Sequence, residues 1–166
     1  ITVRRNGVDT ELFRPVDRSE ARRELGLPKD VRIIVSVGNL VPGKRNDLAL
    51  ESAAAIDGAH IVFVGRGSEH GRLERLARER SMSDRVWFFD EMPQERLRFV
   101  YSAADVLVLA SEREGWPNVL LESAACGTPV VAFNIGGVPE ILTDRAAGTI
   151  VRGEQSATRL AEAVRM

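Results

Sequence analysis

Short, nearly continuous apolar runs recur along the chain, and segments with helical periodicity separate them. The runs are rich in Val and Ile, and their length and composition are typical of strands that are buried on both faces of a sheet. A shorter run of the same kind lies near the end of the chain. We therefore predict strands at 31–38, 59–65, 85–90, 104–111, 129–133 and 148–151.

Segments with apolar residues at helical spacing fill the gaps between the predicted strands. They predict helices at 45–56, 68–81, 93–103 and 117–126, with a closing helix in 154–166. Gly127, directly after the fourth of these helices, suits a helix C-terminus. Strands that alternate with helices at this spacing, joined by right-handed crossovers, predict an α/β fold. The expected architecture is a doubly wound, Rossmann-like parallel sheet with helices on both faces.

Residues 1–30 differ from the rest of the chain. Residues 1–7 have the pattern of a strand, a turn-rich stretch follows, and a short charged helix is predicted with Ser19 as its N-cap. We interpret 1–30 as an interdomain linker and lead-in, and 31–166 as the domain itself. Because the chain opens within a predicted strand and stops within a predicted helix, we expect it to be part of a larger protein.

Composition and charge exclude several functional classes. The 166 residues carry a net charge of -1, with 44% hydrophobic and 28% charged residues, which is ordinary for a globular domain. No basic excess points to nucleic acid, and no apolar run approaches the roughly 20 residues of a membrane span. The single cysteine, Cys126, can form no internal disulfide, which favours a reducing compartment.

The ends of the predicted strands share one edge of the sheet, and the loops there contain glycine and charged residues. After the first strand, Gly38 permits a tight turn, and Lys44 and Arg45 stand before a helix N-terminus. Backbone N–H groups at such a terminus attract anions, so these residues suit a phosphate site. A solvated loop with surface cations is the alternative, and this segment alone does not separate the two.

The loop after the second strand contains Gly65, Gly67 and Gly71, and Asp90 ends the next strand. This spacing is similar to a dinucleotide-binding fingerprint, in which an acidic residue binds the ribose. Gly-rich turns between strands and helices are common in α/β proteins, so a tight turn near a ligand explains the same residues. A nicotinamide-dependent oxidoreductase therefore remains an alternative.

The stretch SEREGWPNVLLESAACG, residues 111–127, carries two glutamates eight residues apart, Glu114 and Glu122. Pro117 suits the first helical position, and Asn118 and Glu122 share one face of the predicted helix. Ionised carboxylates accept hydrogen bonds, so the pair suits a hydroxyl-rich ligand such as a sugar and a ribose. The alternative is an acid that favours the helix dipole, together with a surface glutamate.

A fourth loop, after the fifth strand, repeats the pattern with Gly136 and Gly137 before a short helix that Pro139 and Glu140 open. Four such loops at one edge of a parallel sheet predict a ligand-binding cleft more strongly than any one of them does.

Taken together, these segments resemble the group 1 family of retaining GT-B glycosyltransferases. EGWPNVLLE is similar to the E-x7-E motif of that family, and ACGTPVVAFNIGGVPEIL is similar to the segment that follows it. VSVGNLVPGKRNDLAL resembles its phosphate loop, and NGVDTELFRP resembles the linker into its second domain. The resemblance spans nearly the whole chain. It implies one half of a GT-B fold, the C-terminal donor-binding domain, with the N-terminal acceptor domain absent from this chain.

The resemblance also implies roles for individual residues. The residue that matches Glu122 accepts hydrogen bonds from the donor ribose, the one that matches Glu114 faces the transferred sugar, and Lys44 neutralises the diphosphate. Glu114 and Lys44 are thereby the expected catalytic residues, and the base is expected near Glu91 and Met92. The full set expected to bind the nucleotide sugar is Gly38, Asn39, Lys44, Arg45, Met92, Glu114, Gly115, Trp116, Pro117, Asn118, Val119 and Glu122.

One position departs from the family pattern. The arginine that the family has five residues before its lysine is Asn39 here, which can hydrogen-bond a phosphate but carries no charge. Arg45, at a position where a glycine is common, and Arg66 are both candidates for the missing charge. Trp116 is expected either to cover the start of the helix or to form a wall of the sugar pocket.

The expected function is the binding of a nucleotide-diphosphate sugar for retaining transfer of a hexosyl group to a glycan or lipid-linked acceptor, as in polysaccharide biosynthesis. This domain alone is expected to be inactive. No metal or other cofactor is expected, because the chain has no D-x-D motif and the family implies none. The expected partners are the sugar donor, the missing N-terminal domain and the acceptor, with no nucleic acid. The full-length protein is expected in the cytoplasm, with peripheral attachment to the inner membrane face left open. The alternatives are a non-catalytic sugar-nucleotide-binding module, a GT-B epimerase and an NAD(P)-dependent oxidoreductase.

Overall fold

The structure is a computed structural model that describes residues 6–165. Six strands form its sheet: β1 Arg32–Val37, β2 Ala59–Val64, β3 Val86–Phe89, β4 Val106–Leu109, β5 Val130–Phe133 and β6 Gly148–Val151. The α-helices are α1 Arg18–Glu24, α2 Asn46–Ala54, α3 His70–Glu79, α4 Gln94–Ala103, α5 Asn118–Ala125, α6 Val138–Ile141 and α7 Ala157–Arg165, and a 3₁₀ turn, Pro42–Lys44, precedes α2.

The strand order confirms the predicted doubly wound α/β fold. All pairings are parallel, and the order is β3-β2-β1-β4-β5-β6. The chain therefore reverses direction across the sheet between β1 and β4, which is where ligand clefts form in such sheets. The strand pattern of residues 1–5 lies outside the described residues. Within 6–165, no helix has both the length and the hydrophobicity that crossing a bilayer requires.

Two hydrophobic layers sandwich the sheet. Successive strand residues point to opposite faces, so Ile34 and Phe63 pack with α2, α3 and α7, whereas Ile33 and Val62 pack with α1, α4 and α5. Burying each such side chain contributes about 1.5–3 kcal/mol. This double burial explains why the strands are continuous apolar runs rather than alternating ones.

The lead-in segment is packed against the sheet domain. The N-cap of α1 is Asp17, whose carboxylate accepts a hydrogen bond from the backbone of Glu20 at 3.0 Å. The prediction of Ser19 as the cap was therefore wrong, because a cap must precede the first helical residue and Ser19 lies within the first turn. Arg22, only 3% exposed, pairs with Asp105 at 2.9 Å and so fixes α1 to the segment before β4.

The ends of α5 follow the predicted pattern in part. Pro117 is the N-cap rather than the first helical residue. At the other end Gly127 has a φ of +79° and completes a Schellman motif, in which its N–H and that of Thr128 return to carbonyls of the last turn. The helix is thereby closed at its C-terminus, while no side chain caps its N-terminus.

Candidate functional site

Two adjoining cavities open at the carboxyl ends of the central strands. The α5 cavity, about 290 Å³, lies between the ends of β1 and β4 and the start of α5. The α4 cavity, about 260 Å³, lies between the ends of β1 and β2 and the start of α4. Both are lined by Val37, Gly38 and Asn39. The α5 cavity adds Lys44, Leu109, Glu114, Trp116, Pro117, Asn118 and Val119, and the α4 cavity adds Val64, Gly65, Arg66, Glu91, Met92, Gln94 and Leu97.

Most of the residues expected to bind the nucleotide sugar meet at these cavities. Of the twelve, nine line one or both of them, and the three that do not are Arg45, Gly115 and Glu122. These nine come from three separate loops, after β1, β3 and β4. β1 and β4 are neighbours in the sheet and only β2 separates β3 from β1, so the carboxyl ends of the three strands lie along one stretch of the sheet edge.

Lys44 and Glu114 form an ion pair inside the α5 cavity. Lys44 Nζ lies 2.6 Å from Glu114 Oε1, and the hydroxyl of Ser111 donates to the same oxygen at 2.7 Å. The Glu114 side chain is only 12% exposed, while that of Lys44 is 32% exposed. The Ser111 hydroxyl therefore holds the Glu114 carboxylate in place together with Lys44. The Lys44 ammonium group is the more exposed member of the pair.

Glu122 lies one turn beyond Asn118 on α5 and accepts a hydrogen bond from a buried side chain. The hydroxyl of Tyr101, on α4, donates to Glu122 Oε2 at 2.6 Å. Burial raises the pKa of Glu122 above its usual value, and the hydrogen bond from Tyr101 opposes part of that rise. Burial, followed by the neighbouring Glu122 charge, also raises the pKa of Tyr101 well above its usual value, so the phenol remains the donor.

The loop after β1 is held by a buried asparagine. Ser36, on β1, donates to the side-chain oxygen of Asn46 at 3.0 Å, and the amide nitrogen of Asn46 lies 3.5 Å from the carbonyl of Asn39. Asn46 is the first residue of α2 and is 6% exposed. It therefore connects the strand to the segment that carries Asn39 and Lys44.

Glycines allow the fourth loop to pack against the Glu114 loop. A Cβ at Gly136, where φ is +44°, would lie 1.7 Å from the carbonyl oxygen of Glu114, and the N–H of Gly137 donates to the Gly115 carbonyl at 3.0 Å. The ring of Trp116 packs close to Gly137 and borders the α5 cavity. Its indole nitrogen donates to the carbonyl of Asn6 at 2.9 Å, which ties the ring to the lead-in.

Two of the three glycines that resembled a dinucleotide fingerprint, Gly65 and Gly67, have a different explanation. A Cβ at Gly65 would lie 2.1 Å from the Gly38 carbonyl, and one at Gly67 would lie 2.1 Å from the Leu40 carbonyl. These glycines are therefore needed where two loops of the protein approach each other. Asp90 forms a two-point ion pair with Arg66, both at 3.2 Å. The segment consequently gives no independent support to a nicotinamide site.

The two arginines considered for the missing charge occupy different surroundings. Arg45 has a left-handed backbone, with φ 47° and ψ 42°, which explains why a glycine suits this position. Its guanidinium pairs with Asp47 at 3.2 Å and with Glu112 at 3.5 Å, and it borders neither cavity. Arg66 borders the α4 cavity next to Asn39.

Several residues at the site were not found from the sequence. Val37 and Leu109 could have been, since they lie near the carboxyl ends of the predicted strands 31–38 and 104–111, which border the cleft. Ser111 and Asn46 contact site residues through the fold, and no local pattern marks them. Tyr101 lies on α4, which the sequence predicts as a helix, but nothing in that helical pattern marks this residue as part of the site.

A cavity of about 470 Å³ lies along the edge strand β6, lined by residues between Leu142 and Arg152, away from the cleft. In the part of the chain that the structure describes, no three His, Cys, Asp or Glu side chains are grouped so that they could hold a metal ion.

The sequence matches the family profile described as Glycosyl transferases group 1 over residues 17–166. The D-inositol 3-phosphate glycosyltransferase of Mycobacterium tuberculosis (strain ATCC 25618 / H37Rv) is 40% identical over 154 residues, which cover 90% of this chain and 32% of that protein. The chain thus spans about a third of the length of the curated relatives it matches.

Solved structures share the fold. Sucrose-phosphate synthase from Thermosynechococcus elongatus is 34% identical with a TM-score of 0.83, covering 96% of this chain and 41% of that one. HepE of Anabaena, solved in complex with UDP, is 22% identical with a TM-score of 0.86, covering 96% of this chain and 45% of that one.

Proposed function

This chain belongs to the group 1 glycosyl transferases, and we propose that it is the donor-binding domain of a retaining enzyme. In this proposal the enzyme transfers a hexosyl group from a nucleotide-diphosphate sugar to a glycan or lipid-linked acceptor. The observation that carries it is the joint placement of Lys44, Glu114 and the uncapped N-terminus of α5 around one cavity at the switch point of the sheet. A further, N-terminal domain supplies the acceptor site, so this domain alone binds donor and transfers no sugar.

The two cavities suggest how the donor lies. The nucleoside occupies the α4 cavity, with its base near Met92 and Gln94, and the sugar occupies the α5 cavity beside Glu114 and Trp116. The diphosphate crosses the shared wall near Asn39. The HepE complexes hold UDP and UDP-glucose, and the likeness of the folds supports a donor of this chemical class here.

Positive charge at the wall that the two cavities share favours cleavage of the bond between the sugar and the diphosphate. When the bond between the anomeric carbon and the diphosphate breaks, its electron pair leaves with the diphosphate and the sugar becomes oxocarbenium-like. Lys44 and the free N–H groups at the start of α5 stabilise this developing negative charge, a contribution of about 3 kcal/mol for one such donor. Without donor, Lys44 pairs with Glu114; with donor, Ser111 keeps Glu114 in place while the ammonium turns to the phosphates.

The proposal involves no metal ion, because a lysine and a helix N-terminus supply positive potential at the diphosphate. Arg66 supplies the second cation in place of the family's arginine, since it borders the cavity beside Asn39 while Arg45 does not. Turning to a phosphate costs Arg66 little, because its pair with Asp90 is solvent-exposed, with side chains 69% and 76% accessible.

Calorimetric titration with UDP, GDP, ADP and NAD tests donor binding. We expect one nucleoside diphosphate to bind, and Lys44→Met and Glu122→Ala to weaken it. Lys29→Met is the matched control, since Lys29 is the other lysine of the chain, is exposed, and precedes β1, whereas the cleft lies at the carboxyl end of that strand. Binding of NAD that is indifferent to Glu122 would overturn the proposal in favour of an oxidoreductase.

Activity separates an enzyme from a binding module. The full-length protein should release or transfer sugar from the matching nucleotide donor, and chelation of metals should not change the rate. Lys44→Met should lower kcat by about a hundredfold, as loss of roughly 3 kcal/mol of transition-state stabilisation implies. Donor binding without any sugar release by the full-length protein would favour the non-catalytic module instead.

A further inference from the structure

Tyr101 joins the interior of the domain to the second glutamate of the E-x7-E motif. Its side chain is fully buried, with 0% exposure, on the face of α4 that packs against α5. The phenol hydroxyl reaches Glu122 Oε2 at 2.6 Å, a short distance typical of a charge-assisted hydrogen bond. A group otherwise surrounded by the hydrophobic core thus ends on a residue of the candidate donor site.

The position of Tyr101 is fixed from several sides. Its ring packs 6.1 Å from that of Phe13, and its backbone carbonyl accepts a 2.6 Å hydrogen bond from the hydroxyl of Thr128. Thr128 in turn belongs to the motif that closes α5, where Ser123 donates to its carbonyl at 2.9 Å. The phenol therefore has little freedom, and the carboxylate that it holds shares that restraint.

The hydrogen bond leaves the two oxygens of Glu122 in different situations. Oε2 accepts from the buried phenol. Among the described residues, no hydrogen bond or ion pair ends on Oε1. Glu122 lines neither cavity itself, but it is half-buried and follows Asn118, which lines the α5 cavity, by one helical turn, so Oε1 can accept from a ligand that extends past Asn118. A carboxylate fixed through one oxygen loses less side-chain entropy when the other oxygen binds a ligand.

We propose that Tyr101 is a positioning residue for nucleotide binding: it orients Glu122 so that the second carboxylate oxygen accepts hydrogen bonds from the ribose hydroxyls of the donor. The inference rests on the proposed function, since it deepens the role of a residue within that site. It predicts that the contribution of Tyr101 to affinity depends on the ribose hydroxyls and on Glu122.

The test compares a nucleoside diphosphate with its 2′,3′-dideoxy analogue by calorimetry. The probe is whichever of UDP, GDP and ADP binds the wild-type chain. We expect Tyr101→Phe to weaken the ribonucleotide about tenfold, as for a misplaced hydrogen bond to a charged group, and to leave affinity for the dideoxy analogue unchanged. Glu122→Gln should show the same selectivity, and the double variant should bind no more weakly than Glu122→Gln.

A matched control separates positioning from general loosening of the core. Thr128→Val removes the hydrogen bond to the Tyr101 backbone without touching the phenol, and it should not discriminate between the two nucleotides. Circular dichroism and thermal melting confirm that each variant folds. If Tyr101→Phe weakens both nucleotides equally, or weakens neither, the positioning role is wrong while the donor site stands. If the wild-type chain and the full-length protein bind none of the three diphosphates, the proposed function fails instead.

Discussion

Replacing Arg22 by methionine tests how the lead-in is held to the sheet domain. The Arg22 guanidinium is buried and makes three contacts: to Asp105 at 2.9 Å, to the Ala103 carbonyl at 2.9 Å and to the Lys29 carbonyl. Methionine fills the space of the apolar stem but satisfies none of these acceptors. Arg18 binds the other oxygen of Asp105 at 2.6 Å from an exposed position, with 56% of its side chain accessible.

The expected loss of unfolding free energy depends on the partners that Asp105 keeps after Arg22 is replaced. Breaking a buried ion pair by removing one partner costs about 3–5 kcal/mol. Asp105 keeps Arg18 and the Ile33 N–H, at 2.8 Å, so the lower end of that range applies and we expect a loss of about 3 kcal/mol. For a chain of this size that corresponds to a decrease in Tm of roughly 6–12 °C. Arg18→Met should cost at most about 1 kcal/mol, because its charge is already hydrated.

The assay is urea unfolding of the two variants and the wild type, followed by circular dichroism and Trp fluorescence. Both substitutions remove an arginine that binds Asp105, but only Arg22 is buried and also binds two backbone carbonyls, so the comparison measures what the buried contacts add. If Arg22→Met loses no more unfolding free energy than Arg18→Met, the lead-in is not held by this buried pair and the argument fails.

Three more predictions concern the site and its surroundings. Gly136→Ala should displace the Glu114 loop and weaken nucleotide binding in calorimetry, because the added Cβ would clash with the Glu114 carbonyl. Gly43→Ala is the control and should not weaken binding, because no atom lies within 4 Å of a Cβ at that position. Equal nucleotide affinities of the two variants would contradict this prediction. Burial raises the pKa of Glu122, and only the ionised carboxylate is purely an acceptor. As the pH decreases, nucleotide affinity should therefore begin to fall at a higher pH than it would with a glutamate of ordinary pKa. That acidic decrease should be missing from the pH series of Glu122→Gln. Burial raises the pKa of Cys126 to about 11, so a thiol reagent should label the native chain slowly and the urea-unfolded chain at once, and rapid native labelling would refute its burial.

The fold and part of the site could be predicted from local sequence. The six apolar runs and the helices between them appear close to their predicted positions. Burial on both faces of a sheet gives a continuous apolar run, and burial of one helix face gives apolar residues at helical spacing. Local sequence determines the ends of the segments less precisely. Asp17 rather than Ser19 caps α1, since either residue satisfies the chemistry of a cap and only the position where the helix begins separates them.

The sequence by itself determined the class of fold, the family resemblance and the loops in which the site residues lie. Tertiary structure determined which side chains meet. Lys44 contacts Glu114, seventy residues later, because β1 and β4 are neighbours at the point where the sheet reverses. It also determined that Arg45 turns to Asp47 and Glu112 while Arg66 borders the cleft, and that Tyr101 reaches Glu122. Apart from the Arg45–Asp47 pair, these contacts join residues distant in sequence, and their geometry arises only when the packed layers fix the distance between them.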